Sequence, residues 1–277
     1  MLVTLSEILK DANERHYAVG AFNCLSLENV IGAIQAAEEL RAPIILQLAE
    51  VQFPEAPLDM MAPLYLHAAH KASVPICVHL DHGQSLETCV RAIRLGFTSV
   101  MFDGAALPFE ENVATTRQVT RIAKAAGVDV EAELGKVGDS GVDTADVFTD
   151  VEESIRFIQS TGIDALAVAI GNLHGHYVHT PQLNITRLIE IHEANRLPLV
   201  LHGGSGTSIE DFKACIHNGI CKINVATAIQ RGIMKRITER LVEKPDEGYI
   251  PLKQIMIDAS REVVAEHINL FESNDKV

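Results

Sequence analysis

Three histidines stand where apolar runs give way to glycine. They are His82 in Leu80-Asp-His-Gly83, His174 in Gly171-Asn-Leu-His-Gly175 and His202 in Leu201-His-Gly-Gly204. Neutral imidazole is the commonest metal ligand. Three protein ligands with a fourth position left open describe a catalytic zinc site, whereas a structural site is closed by four. One histidine so placed is more often a hydrogen-bonded core residue, but three after three different apolar runs argue for a shared site. His79 lies inside its run and reads as packing. His67 and His70 share a helix face at i,i+3, but no third ligand joins them, so they read as a solvated face. Gly203-Gly-Ser-Gly206 precedes a helical segment, and Asn224-Val-Ala-Thr227 follows the last apolar run. Glycine amides and a helix N-terminus suit a phosphate.

Eight short apolar or β-branched runs carry these residues: Ala18–Asn23, Pro43–Leu48, Pro75–Leu80, Thr98–Phe102, Val128–Leu134, Ala165–Ile170, Pro198–Leu201 and Lys222–Val225. Most are unbroken rather than alternating, as expected of parallel strands buried on both faces. The stretches between them are long enough for a loop and a helix. Leu27, Val30, Ile31, Ile34 and Leu40 give one helical stripe, and Ile229, Ile233, Ile237 and Leu241 another. Thr149-Asp-Val-Glu152 reads as a capping box, and Ser208 with Asp211 resembles one. Residues 139–146 are polar and aperiodic and read as a mobile loop.

Eight βα units predict an α/β chain closed as a (β/α)8 TIM barrel, one domain over residues 1–277. An open doubly wound sheet would carry a glycine-rich turn after its first strand, where this chain has Ala21-Phe-Asn-Cys24. Chemistry in such barrels sits at the C-terminal strand ends. Asn23, Asp81, Asp103, Glu131, Glu133, Asn224 and Thr227 collect there with the histidines.

Composition narrows the partners. The 277 residues carry 37 acidic against 23 basic side chains, net −14, which leaves no basic footprint for nucleic acid. No apolar run approaches the roughly 20 residues that span a bilayer. The start, Met1-Leu-Val-Thr-Leu-Ser-Glu7, has no signal-peptide pattern. Cys24, Cys77, Cys89, Cys215 and Cys221 are irregularly spaced, so reduced thiols and a cytoplasmic location are expected.

Tyr17-Ala-Val-Gly-Ala-Phe-Asn23, Leu80-Asp-His82, Glu131-Ala-Glu-Leu-Gly135, Ala169-Ile-Gly-Asn-Leu-His-Gly175, Leu201-His-Gly-Gly-Ser-Gly206 and Lys222-Ile-Asn-Val-Ala-Thr227 occur in one order over nearly the whole chain. As a set they resemble the class II, zinc-dependent fructose- and tagatose-bisphosphate aldolase family. The resemblance implies reversible cleavage of a ketose (bis)phosphate to dihydroxyacetone phosphate and an aldehyde. His82, His174 and His202 would hold zinc, cobalt or another divalent ion. Asp81 would be the acid/base for the aldehyde-derived hydroxyl, and Asp103 and Glu133 match positions near a second or displaced metal. Gly175, Gly203, Gly204, Ser205, Asn224 and Thr227 match the phosphate site, with a monovalent cation implied nearby. Asn23, closing the opening motif, is placed with the substrate-binding residues. Relatives imply a homodimer or homotetramer.

Aldol cleavage leaves a carbanion beside a ketone, and its charge must pass onto oxygen, which a Lewis acid assists. A Schiff-base aldolase would instead need a lysine inside the barrel. The sixth strand ends without one, Lys222 reads as the start of the eighth strand, and Lys136 is the remaining candidate.

Departures from the family pattern gather at the aldehyde end. Val178 stands where the glycolytic enzymes have lysine, and Gly83 where many relatives have a second histidine. Asn224-Val-Ala-Thr-Ala-Ile-Gln230 lacks an aspartate and an arginine, as tagatose-type members tend to. Gln47-Leu-Ala-Glu-Val-Gln-Phe-Pro54 replaces a glycine-rich segment. In the loop after the fifth strand, Asp139 or Asp143 would stand in for the proton-exchanging glutamate. Two alternatives are a metal-dependent hydrolase and a non-catalytic partner subunit. Phe22-Asn23 stands where the former has H-x-H, and retention of Asp81 with all three histidines argues against the latter.

Overall fold

The computed structural model describes residues 1–135, 138–139, 148–174, 182–204 and 207–277, with the backbone alone for 138, 139, 173 and 174. The eight apolar runs become β1 (Val19–Asn23), β2 (Ile44–Ala49), β3 (Ile76–Gly83), β4 (Ser99–Phe102), β5 (Asp129–Leu134), β6 (Ala165–Val168), β7 (Leu199–Leu201) and β8 (Ile220–Val225). Each pairs in parallel with the next, and β8 returns to β1, with Lys222 opposite Val19 and Asn224 opposite Ala21. The sheet is therefore a closed (β/α)8 barrel.

Ten α-helices among the described residues surround the sheet: α1 (Leu5–Arg15), α2 (Leu27–Glu39), α3 (Leu58–Lys71), α4 (Leu86–Leu95), α5 (Phe109–Ala125), α6 (Val151–Thr161), α7 (Ile185–Asn195), α8 (Ile209–His217), α9 (Thr227–Glu243) and α10 (Tyr249–Leu270). Side-chain oxygens of Ser26, Ser85, Asp150, Asn184 and Ser208 cap α2, α4, α6, α7 and α8. Each such cap contributes roughly 1 kcal/mol. The α6 cap corrects the sequence reading by one position. Asp150, not Thr149, accepts from the helix, while the Thr149 hydroxyl donates to the Leu134 carbonyl. At α8, Ser208 accepts from the Asp211 amide but donates its own hydroxyl to the Asp211 carboxylate, so half of the expected box forms.

Two apolar layers result. The outer one lies between strands and helices. The inner one fills the lower barrel with Val19, Ala21, Ile45, Cys77, Met101, Ala165, Ala167, Val200 and Cys221, closed from below by Leu5, Ile8, Leu9 and Ala12 of α1. Thr4 starts α1 with a capping box, its hydroxyl accepting from Glu7 and its amide donating to the Glu7 carboxylate. All five cysteines are buried free thiols, pushed up to about 12 by burial. Among the described residues no helix is long and apolar enough to cross a membrane.

The predicted α2 stripe does not face the barrel as a unit. Val30 is buried, but Leu27 is exposed, and Leu27, Ile31 and Ile34 line an outer groove with Leu64 and Ala68 of α3. Small residues, Ala33, Ala36 and Ala37, fill the buried side. Helix α10 presses so closely that a Cβ on Gly32 would come within 2.5 Å of the Ile257 carbonyl oxygen.

Candidate metal and acid–base centre

Above the apolar floor the barrel interior turns polar. Alternate residues of a strand share a face. Gln47, His79, Asp81, Glu131, Glu133, Lys222 and Asn224 are all buried, with Asn23 and His202 completing the ring at the strand ends. Burying so many polar groups is costly unless they satisfy one another.

Asp81 lies at the centre of one half. Its Oδ2 accepts from the carboxamides of Asn23 (2.9 Å) and Gln47 (3.3 Å), and its Oδ1 accepts from Asn224 (2.9 Å). Gln47 also donates to Asn23, which locks the pair. Burial would raise this carboxyl, but His82, His202 and Lys222 together with the Asn23 bond outweigh burial and hold it below the usual carboxylate range.

His82 and His202 form the other half. His82 Nε2 and His202 Nδ1 face each other at 2.8 Å, with the rings edge to face. Their other nitrogens are held by carboxylates: His82 Nδ1 donates to Asp103 Oδ2 and His202 Nε2 to Glu131 Oε1, both at 2.8 Å. Burial opposes protonation of His82, but Asp81, the Asp103 bond and Glu133 overcome it and lift the imidazole to about 10.

A local irregularity lets both Asp81 and His82 face this site. In a regular strand neighbours point to opposite faces. Between Leu80 and Gly83, however, β3 advances three residues while β4 advances two. His82 takes the left-handed conformation, φ 45°. Such a bulge re-aims side chains beside functional sites, and a non-glycine residue at positive φ stores strain that the surroundings must hold.

Beneath the histidines lies a buried ion pair. Lys222 Nζ is 2.9 Å from Glu131 Oε2 and donates to Asn224 Oδ1 at 2.7 Å. Lys222 therefore links the carboxylate behind His202 to the carboxamide on Asp81. The sequence reading put Lys222 at the start of its strand. The strand begins two residues earlier, and its side chain is wholly buried in the barrel. Its ammonium is committed to Glu131 and Asn224. His79 is a core residue as expected. Its Nδ1 lies 2.8 Å from Ser99 Oγ, and burial, then Lys222, pushes its imidazole well below the ordinary range. His67 and His70 are exposed on α3.

The structure thus brings Asn23, Asp81, His82, Asp103, Glu133, His202 and Asn224 into one region. Donor atoms of Asp81, His82 and His202 lie within 4.8 Å of one another, as do those of His82, Asp103 and Glu133. The donor set fits a divalent ion: two imidazole nitrogens converge, each backed by a carboxylate that fixes its tautomer and orientation. The backbone of Leu173–His174 pairs in parallel with Gly138–Asp139, while the His174 and Asp139 side chains lie outside the described residues. Gly175, Asp143 and Ser205 lie outside them too.

In the turn after β7, Gly203 has φ 68°, and a Cβ on Gly204 would crowd the Phe212 ring at 3.1 Å. Asn172 steadies this turn by donating to the His202 carbonyl. Thr227 opens α9. Sequence reasoning assigned no part to Gln47, Asn172 or Lys222, and named Glu131 only as a strand residue. The available signal was polar residues two apart, 79/81, 131/133 and 222/224, which share a strand face.

The family model described as fructose-bisphosphate aldolase class-II matches residues 3–276. A protein named probable fructose-bisphosphate aldolase, from Bacillus subtilis (strain 168), is 42% identical, covering 96% of this chain and 95% of its own. The sulfofructosephosphate aldolase of Alkalicoccus urumqiensis is 37% identical, covering 97% and 96%. The crystal structure of the YdjI aldolase from Escherichia coli K12 superposes with a TM-score of 0.91 at 36% identity, covering 100% of this chain and 99% of that one.

Proposed function

Since the chain belongs to the class II fructose-bisphosphate aldolase family, an aldehyde-lyase family acting on sugar phosphates, we propose that it is a metal-dependent aldolase that reversibly cleaves a ketose phosphate to dihydroxyacetone phosphate and an aldehyde. The observation that carries this reading is the facing pair of His82 Nε2 and His202 Nδ1, each backed by a carboxylate, beside a carboxylate held by three carboxamides.

His82, His202 and His174 would hold the ion, zinc or cobalt by the character of the donors. Bound there, it would supply Lewis acidity toward the charge left by carbon–carbon cleavage. Asp81 takes the proton of the hydroxyl next to the breaking bond and returns it on condensation. Asn23, Gln47 and Asn224 fix the direction from which Asp81 acts. Asp103 and Glu131 orient the two imidazoles, although Asp103 and Glu133 also suit a second metal position. Gly203, Gly204 and Thr227, with Gly175 and Ser205, would cradle the phosphate by amides and hydroxyls, assisted by a monovalent cation, and Asp139 or Asp143 would exchange the carbanion proton. The same reading makes the protein a cytoplasmic homodimer or homotetramer, which the five buried thiols suit.

Elemental analysis tests the metal directly. The purified protein should carry about one divalent ion per chain, lose cleavage activity with a chelator and regain it with zinc or cobalt. Full activity in metal-free protein would refute the reading. Asp103→Asn should weaken metal affinity by roughly 10–100-fold, the usual effect of removing a carboxylate behind a ligand histidine. Competition with a chromophoric chelator measures this, and unchanged affinity would remove Asp103 from that role.

A further inference from the structure

We propose that Glu50 is a specificity-determining residue that selects an aldehyde without a second phosphate, a neutral hydroxylated one. The inference rests on the aldolase reading above and names the substrate class at the end of the site where the sequence departs from its relatives.

Glu50 follows Ala49, the last residue of β2, and Ala49 pairs with Asp81. Glu50 therefore stands on the barrel rim beside the residue that would handle the aldehyde-derived hydroxyl. Its carboxylate spans the gap to the next βα unit. Oε2 accepts from the Gln84 amide at 2.7 Å and Oε1 from the Thr88 hydroxyl at 2.9 Å. The Gln84 amide, just before the Ser85 N-cap of α4, and the Thr88 hydroxyl are the kind of donors an incoming phosphate could use. Here both are served by the chain's own carboxylate, so a phosphate would lose those donors and meet a like charge.

Among the described residues of the rim segments no lysine or arginine is present to compensate. The segments joining each barrel strand to the next barrel helix are 24–26, 50–57, 84–85, 103–108, 135–150, 169–184, 202–208 and 226. Together they contain one lysine, Lys136, and no arginine. The same segments contain Glu50, Glu55, Asp103, Asp139, Asp143, Asp146 and Asp150. Arg91 on α4 is held on the surface by Asp59, with Nε 3.2 Å from one carboxylate oxygen and Nη2 2.5 Å from the other. A ketose phosphate already places one phosphate at the glycine-rich turn, which needs only amides. A second dianion would meet the Glu50 carboxylate with no lysine or arginine among the described residues of these segments. A polyol tail would not, because carboxylate and carboxamide oxygens accept from hydroxyls. Specificity of this kind comes from the repulsive element as much as from attraction.

The test compares condensation of dihydroxyacetone phosphate with D-glyceraldehyde and with D-glyceraldehyde 3-phosphate on the full-length, metal-loaded protein. Chelator-sensitive hydrogen exchange of dihydroxyacetone phosphate in D2O reports the donor half-reaction separately. The expected kcat/KM for the neutral aldehyde is at least about tenfold the higher. Glu50→Gln should shrink that ratio by raising kcat/KM for the phosphorylated aldehyde. With exchange intact, the proposal is overturned by preference for the phosphorylated aldehyde, by consumption of neither, or by a ratio that Glu50→Gln leaves unmoved. Absence of exchange would instead overturn the aldolase reading, and this inference with it.

Discussion

Asp81→Asn is expected to lower kcat by roughly 10²–10⁴-fold, the usual contribution of a positioned acid/base. Asparagine has almost the shape of aspartate but cannot accept a proton at neutral pH. It also meets the wrong neighbours. Asp81 presents oxygen to three donors, Asn23 and Gln47 on one side and Asn224 on the other. An amide NH2 in either position would set donor against donor. Asn224 cannot turn to help, because its own oxygen accepts from Lys222. A stability loss of about 1–3 kcal/mol should accompany the kinetic effect. Steady-state kinetics with elemental analysis of the same sample distinguishes two roles. Loss of kcat with the ion retained supports Asp81 as the acid/base. Loss of the ion would move it into the ligand set, which the proximity of its carboxylate to His82 and His202 also allows.

The second large effect is on folding. Lys222→Met should destabilise the protein by about 3–5 kcal/mol, because it strips the buried Glu131 carboxylate of its ammonium partner and leaves it only imidazole neighbours. Both side chains are fully buried, and the ammonium lies 2.9 Å from the carboxylate. Methionine fills much the same space, so packing loss contributes little and the electrostatic cost dominates. Adding Glu131→Gln should recover part of the loss by removing the stranded charge. Urea unfolding measures both. A cost below about 1 kcal/mol for Lys222→Met would contradict a stabilising role for this ion pair. Metal affinity should fall as well, since Glu131 also holds His202 Nε2.

Much of this was legible in the residue order. Eight apolar runs ending in Asn, Asp, His and Gly gave the barrel and the face that carries chemistry, because a parallel strand must be apolar on both sides until it reaches the mouth. Asp81, His202 and Asp103 were readable for the same reason, each immediately following an apolar stretch, and His82 comes one residue after Asp81. The bulge in β3 was not. Its extra residue shows only in the pairing with β4, and no residue type at Leu80–Gly83 demands it. Lys222 was misplaced because its strand was started too late, and because a lysine among Cys, Ile and Val looks like a strand boundary. Only the three-dimensional neighbour, Glu131 from across the barrel, explains why it can be buried. Thr4 and Glu7 were not read as a capping box, and the helix they start, which plugs the barrel floor, was not anticipated, since nothing local says where a helix docks. The apolar stripe correctly marked α2, but it did not show that small residues, Ala33, Ala36 and Ala37, fill much of the buried side or that α10 approaches at Gly32.

The central claim is that this barrel stabilises and reprotonates a carbanion derived from dihydroxyacetone phosphate through a metal site built on His82 and His202. Incubating the protein with that substrate in D2O and following one C3 hydroxymethylene proton by NMR tests it without reference to any aldehyde. The account predicts exchange that a chelator abolishes and zinc restores. A protein with metal confirmed bound and no exchange would contradict it.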